Sequence, residues 1–152
     1  EYELRLSSPS TSSCGRVLDA AAALLGLCDE RTYEGRPAML LESVSTVPFL
    51  LEPVIVDDVL LTTPLFRFLV DHIDDDVGRL AATVQQYLAD GLLRIAKKYA
   101  AGIAPITFSG GCAYNTLMSS FLASQGVLLP TQMPAGDGGI AVGQIANYMR
   151  GR

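Results

Sequence analysis

An α/β fold, with strands alternating with helices, is predicted for this chain of 152 residues by three observations. Apolar residues recur at spacings of three and four in several segments, the signature of helices that bury one face. Two short strand-like runs, the β-branched and aromatic ITF at 106–108 and the apolar VLLP at 127–130, flank a further helical pattern. That order suggests parallel strands joined through a helix and layered with others. With 49% hydrophobic residues the chain can enclose one sizeable core, or two small lobes that share an interface. It is read as a single domain over residues 1–152.

The first helix is expected in GRVLDAAAALLGL, where Val17, Leu18, Ala21, Leu24 and Leu25 share a face, Ser12 or Ser13 can cap, and Gly26 ends the pattern. A second runs from Pro37 through Ser45, because proline is tolerated in a first turn and Met39, Leu40, Leu41 and Val44 follow. FLLEPVIVDDVLLTT reads as two short strands around Asp57 and Asp58, with Pro53 marking an edge or a bulge. Helical patterns then cover Pro64 to His72 and Val77 to Ala101, and the acidic run Asp74, Asp75 and Asp76 reads as the capped start of the second. Strand, glycine turn, helix, the short strand VLLP and a Pro/Gly turn lead to a closing helix from Gly139 to Met149.

Charge and cysteine usage exclude several function classes. Eleven Lys and Arg face 16 Asp and Glu, with no basic block, which argues against binding nucleic acid through bulk charge. The apolar stretches are too short or too interrupted to span a bilayer, so no membrane role is expected. Three cysteines, Cys14, Cys28 and Cys112, without CxxC spacing fit a reducing compartment, and the chain is read as cytoplasmic. Cys112 lies at a helix start that favours a thiolate, but the sole histidine, His72, sits in DHIDDD as a solvated side chain and offers no base. The first residue is Glu1 and the opening EYELRLSSPS reads as a segment already in progress, so the chain is expected to be a piece of a longer protein.

Two glycine turns carry the candidate chemistry. In ITFSGGCAYN the run stops at Ser109, Gly110 and Gly111, where missing side chains permit either a tight turn or the approach of an anion to main-chain N–H groups at a helix start. Asn115 is expected one turn into the following helix, within reach of the same ligand. In MPAGDGGIAVGQ a second pair, Gly138 and Gly139, again opens a helix, so both turns can close around one ligand. Asp137 precedes that pair, placed to hold a divalent cation or a ligand hydroxyl, or simply to cap the helix. Asp19 is one carboxylate in an apolar helix, and Arg16 beside it can meet an anion or lie along the surface.

In this order, SSCGRVLDAAAALLGL, RTYEGRPAMLLE, FSGGCAYN and PAGDGGIAVGQ resemble the carboxyl-terminal part of the HypF family of hydrogenase maturation carbamoyltransferases. The resemblance implies the second lobe of an actin-like ATPase/hexokinase (ribonuclease H-like) fold. It implies binding of ATP or carbamoyl-adenylate, and transfer of the carbamoyl group to the carboxyl-terminal cysteine of a HypE-like acceptor in the maturation of nickel–iron hydrogenase. Ser109, Gly110 and Gly111 match the family's phosphate-contacting turn, and Asn115 its following asparagine. Asp19 is similar to a ribose-hydroxyl contact, Gly35 would lie near the nucleoside, and Asp137 matches a metal-ligand position. The divalent metal, whether iron, zinc or magnesium, would be completed by histidines from the preceding half of the transferase domain, outside this chain. Gln85 stands where the family commonly has histidine, and Tyr114 where it has Gln. An isolated lobe is expected to lack autonomous transfer activity. It would serve otherwise as a nucleotide-binding or interaction module, with an exposed interlobe face open to self-association. A different carbamoyl acceptor is the further alternative.

Overall fold

The computed structural model describes residues 11–151. The first apolar segment forms α1 (Cys14–Leu24). It closes in a Schellman arrangement, in which the N–H of Gly26 reaches Ala23 O at 3.0 Å and that of Leu27 reaches Ala22 O at 2.9 Å. Ser13 occupies the predicted cap position, although only its carbonyl bonds to the helix, accepting from Arg16 N–H at 3.2 Å. Pro37 lies in the first turn of α2 (Arg36–Val44), as its tolerance there predicts. The two short strands are β1 (Ile55–Val56) and β2 (Val59–Leu60), antiparallel and turned by Asp57 and Asp58, both with positive φ. That geometry matches the strand twist of a two-residue hairpin.

After α3 (Thr63–Asp71) comes the spine of the molecule, α4 (Val77–Ala100). Its start is capped as the acidic run predicts: Asp76 Oδ1 accepts from Arg79 N–H at 2.8 Å. Leu80, Val84, Tyr87 and Leu88 of α4 join Leu18 and Ala21 of α1, Leu41 of α2 and Leu65 and Leu69 of α3 in one core. Each fully buried Leu or Val there contributes on the order of 1.5–3 kcal/mol by leaving water. Tyr87 also ties down the hairpin, donating to Leu61 O at 2.7 Å and accepting from Val54 N–H at 3.0 Å.

The layered parallel sheet expected in the second half is reduced to a single contact. Thr107 and Leu128 form one isolated parallel bridge, with Phe108 N–H to Leu128 O at 3.0 Å and Leu128 N–H to Ile106 O at 2.9 Å. Among the described residues neither extended segment has a second neighbour, and a ladder one bridge long does not propagate into a sheet. The architecture is therefore α/β in reduced form, helical layers with a small two-stranded sheet and one parallel contact. Between the two extended segments runs α5 (Thr116–Ser124), packed on α4 through Met118 and Leu122, and the chain continues into α6 (Ile140–Arg150). No residue of α6 is buried, although it carries Ile140, Val142, Ile145 and Met149. No helix among the described residues is long and apolar enough to cross a membrane.

Candidate functional site

The first glycine turn leaves Phe108 and enters a conformation reserved for glycine, with Gly110 at φ 97° and ψ −177°. A 3-10 turn, Gly111–Tyr114, follows before α5 begins. The amides of Gly111 and Cys112 at its start have no acceptor among the described residues. Space is open where side chains of Gly110 and Gly111 would stand, with nothing within 4 Å of either ideal Cβ. Two amides at a helical start are thus left unbonded by the protein, the kind of donor that an anion can take up.

The second turn lies directly against the first. Gly110 N–H donates to Ala135 O at 2.7 Å, and the Tyr114 ring packs on Gly136, where a Cβ would stand 2.6 Å from Cε2. The N–H of Gly110 is therefore spent inside the protein, and the donors left for a ligand are those of Gly111 and Cys112. Asp137 opens a second 3-10 turn, Asp137–Gly139, and its exposed carboxylate caps neither that turn nor α6. Of the roles open to Asp137, helix capping is not taken.

Asn115 stands in a different place from the one expected. It is not a turn into the helix but at its cap, its Oδ1 accepting from Met118 N–H at 2.9 Å. Its Nδ2 donates to Gln85 Oε1 at 2.6 Å, and Gln85 Nε2 donates in turn to Ser45 Oγ at 2.6 Å and Ala81 O at 2.9 Å. Asn115 is 6% exposed and Gln85 0%, so both side chains face inward and hold the base of the turn. The cause is local: a 3-10 turn intervenes between the glycines and α5, which moves Asn115 to the boundary. The sequence marks Gln85 only by resemblance, as standing where histidine is common, and gives no sign of this network.

Asp19 stands on α1, partly exposed, with Arg31 Nη1 3.7 Å from its carboxylate and Arg31 Nη2 3.8 Å from Glu34. Arg31 thereby links Asp19 to the loop ending in Gly35, which takes φ 79° as the cap of α2. At these distances and exposures each pair is worth at most about 1 kcal/mol, a guide for the loop more than a staple. Glu42 of α2 accepts from Thr116 N–H at 2.7 Å, which fixes α2 to the start of α5. Ser109 remains exposed on the outer side of the first turn.

Two thiols complete the surroundings. Cys14, the first residue of α1, donates a hydrogen bond to Cys112, which lowers the Cys112 thiol to about 7 even though burial and the Asp19 charge both push it up. The same bond, together with burial and the charge on Cys112, holds Cys14 protonated far above the ordinary thiol range. α1 lies beside the first turn, with Cα atoms of the two elements within 8 Å. No group of three or more His, Cys, Asp or Glu among the described residues can hold a metal ion. Asp137 alone supplies one carboxylate, so these residues do not complete a metal site and no chemical step is derived through one.

Comparison with known proteins identifies the family and the fold. The family model described as carbamoyltransferase, Kae1-like domain, second subdomain, matches residues 1–144. The probable carbamoyltransferase HypF of Methanocaldococcus jannaschii is 35% identical over 98% of this chain and 21% of its own length. The carbamoyltransferase HypF of Rhodobacter capsulatus is 37% identical over 91% of the chain and 20% of its own. The crystal structure of HypF from T. kodakarensis superposes with a TM-score of 0.78 at 30% identity, covering 91% of this chain and 20% of that one. A full-length HypF in the phosphate- and nucleotide-bound form gives 0.66 at 28% identity, over 90% and 20%. The chain thus spans about a fifth of the length of the relatives it matches. With the family model covering nearly all of it, the chain belongs to the HypF carbamoyltransferase family, as the second subdomain of the Kae1-like domain.

Proposed function

We propose that this chain is the phosphate-gripping lobe of a HypF-type carbamoyltransferase, built on an actin-like ATPase fold and working in the cytoplasm. Its ligand is ATP or carbamoyl-adenylate. The amides of Gly111 and Cys112, with the Ser109 hydroxyl, meet the phosphates, while Gly110 shapes the turn and Asp19 and Gly35 border the nucleoside. Asn115 acts from beneath, fixing the cap of α5 and hence the turn's position. Asp137 offers one carboxylate to a divalent metal whose other donors lie outside the chain. When bound, the adenylate supplies an activated carbamoyl group, and the acceptor is the carboxyl-terminal cysteine of a HypE-like protein.

The observation that supports this reading most is the bond between Gly110 N–H and Ala135 O, 2.7 Å long, which sets the two glycine turns side by side, with open space at Gly110 and Gly111 and with Gly138 and Gly139 packed on Pro134. A solved HypF relative bound to phosphate and nucleotide is consistent with it. The apolar side of α6, with Ile140 56% and Ile145 61% exposed, begins at the second turn. We assign its partner as the preceding half of the transferase domain, which would cover α6 and close over the same cleft. Left uncovered, that face favours self-association.

Saturating ADP or ATP with a divalent cation is expected to raise the melting temperature by roughly 5–10 °C. At a hundredfold excess over Kd the linked stabilisation is about 2.7 kcal/mol, and each kcal/mol moves Tm by about 2–4 °C in a chain of this size. An unchanged melting curve, even with the preceding half of the domain supplied, would overturn the reading.

A further inference from the structure

The two glycine turns are attached to each other at two points, which lie at opposite ends of the 3-10 turn Gly111–Tyr114. At its start Gly110 N–H reaches Ala135 O at 2.7 Å. At its end the Tyr114 ring lies over Gly136, where an ideal Cβ would stand 2.6 Å from Cε2 and 3.3 Å from both Cζ and the hydroxyl oxygen. Gly136 has no conformational need to be glycine, because its φ of −94° and its extended backbone are open to residues that carry a side chain. What demands the missing side chain is the ring. Tyr114 is 61% exposed, and its hydroxyl has no hydrogen-bond partner among the described residues, so its contact with the second turn is one of packing.

From this arrangement we infer that Tyr114 is a positioning residue for the ligand-facing amides: its ring latches the second turn to the first and so fixes the direction in which the N–H groups of Gly111 and Cys112 point. A single hydrogen bond is a pivot, since a carbonyl oxygen accepts over a broad range of angles. With the Gly110 bond alone, the second turn would be free to swing about Ala135. The ring on the neighbouring residue, Gly136, supplies the second point that removes this rotation. Gly111 and Cys112 lie between the two points, so both unbonded amides belong to a segment pinned at each end. The segment is also braced from within. Ala113 N–H donates to Gly110 O at 3.0 Å, Asn115 N–H to Cys112 O at 3.1 Å, and Ser119 Oγ to Ala113 O at 2.7 Å.

The latch reaches the second turn's own geometry as well. Gly136 O accepts from Gly139 N–H at 2.9 Å, which closes Asp137–Gly139 on the residue beneath the ring. Asp137 follows Gly136 directly, so the contact that seats Gly136 also seats that carboxylate relative to the first turn. Donors held in place before a ligand arrives lose less freedom when it binds, which is how preorganisation raises affinity. The role in ligand binding rests on the nucleotide reading above; the packing of Tyr114 on Gly136 does not.

The test uses the full 152-residue chain and ADP, with affinities measured by calorimetry well below the melting point of each variant. Tyr114→Ala removes the ring, and Gly136→Ala pushes it into solvent, since a contact of 2.6 Å is too short to stand. Either change is expected to weaken ADP binding about tenfold, inside the hundredfold that a misplacement of about 1 Å can cause. Tyr114→Phe keeps the packing and should bind as the parent does. Gly136→Ala made in the Tyr114→Ala chain should add less than about twofold, because both act on one contact. A role in folding alone would lower the melting temperature without this pattern of losses that do not add and that phenylalanine restores. A nuclear Overhauser contact between the Tyr114 ring and the Gly136 α protons checks the packing itself, and its absence would overturn the latch. Tyr114→Ala binding ADP like the parent, or two losses that add in full, would remove the positioning role. A phenylalanine variant as weak as alanine would assign the effect to the hydroxyl, against the proposal. If the parent shows the ring contact but binds no ADP, even with the preceding half of the domain supplied, the nucleotide reading fails and takes the positioning role with it, leaving only the packing in place.

Discussion

Replacing Gln85 by alanine is expected to lower the stability of the fold by about 3 kcal/mol, the sum of a buried cavity and lost hydrogen bonds. Gln85 is fully buried and joins three elements, through Ser45 at the end of α2, its own helix α4, and Asn115 at the cap of α5. Its removal strands the Nδ2 of Asn115, itself 6% exposed, without an acceptor. Chemical denaturation should show the midpoint falling while the denaturant slope stays constant. Because Asn115 holds the start of α5, the variant should also loosen the 3-10 turn above it. A loss below about 1 kcal/mol would show that the network is not a support of the turn.

Gly110→Asp is expected to weaken nucleotide binding by about a hundredfold. Two effects act at this position and can be separated. With φ 97° and ψ −177° the backbone lies where any side chain is strained, at a cost of about 1–3 kcal/mol to the fold. The Cβ itself would point into open space, so the carboxylate would project where phosphates are proposed to sit. Repulsion between like charges about 4 Å apart near a protein surface reaches about 4 kcal/mol, and about 2.7 kcal/mol already amounts to a hundredfold. Gly110→Ala carries the strain without the charge. Titration calorimetry below the melting point of both variants should therefore find alanine affected far less than aspartate. Equal affinities for the two would place the ligand elsewhere.

The helices were readable because their information is local. Leu18 and Ala21, or Leu80, Val84 and Tyr87, recur at the spacing that puts them on one face, and Asp76 caps α4 as its position ahead of the apolar run implies. The hairpin was readable for the same reason, since Asp57 and Asp58 sit between two apolar pairs, Ile55–Val56 and Val59–Leu60. The parallel pairing of 106–108 with 127–130 was readable but not its extent, for the residues from Ile106 to Phe108 obtain only the single register at Leu128. Asn115 falls at the cap of α5 and not inside it because the 3-10 turn Gly111–Tyr114 precedes the helix.

Within the candidate site, residue types were legible and their pairings were not. Glycines at 110, 111, 138 and 139 announce close backbone approach. Nothing in the local sequence announces that Gly110 spends its amide on Ala135 or that Tyr114 rests on Gly136. Those contacts join segments brought together only by the packing of α1, α4 and α5. The four ordered sequence blocks gave the family, and the fold placed the two turns in contact.

Amide chemical shifts followed during titration with ADP and a divalent cation address the shared grip of these turns most directly. Resonances of Gly111 and Cys112, together with those of Asp137 to Gly139, should move in concert along one binding curve. Movement confined to one turn, or centred on distant residues such as those of α3, would contradict a common cradle.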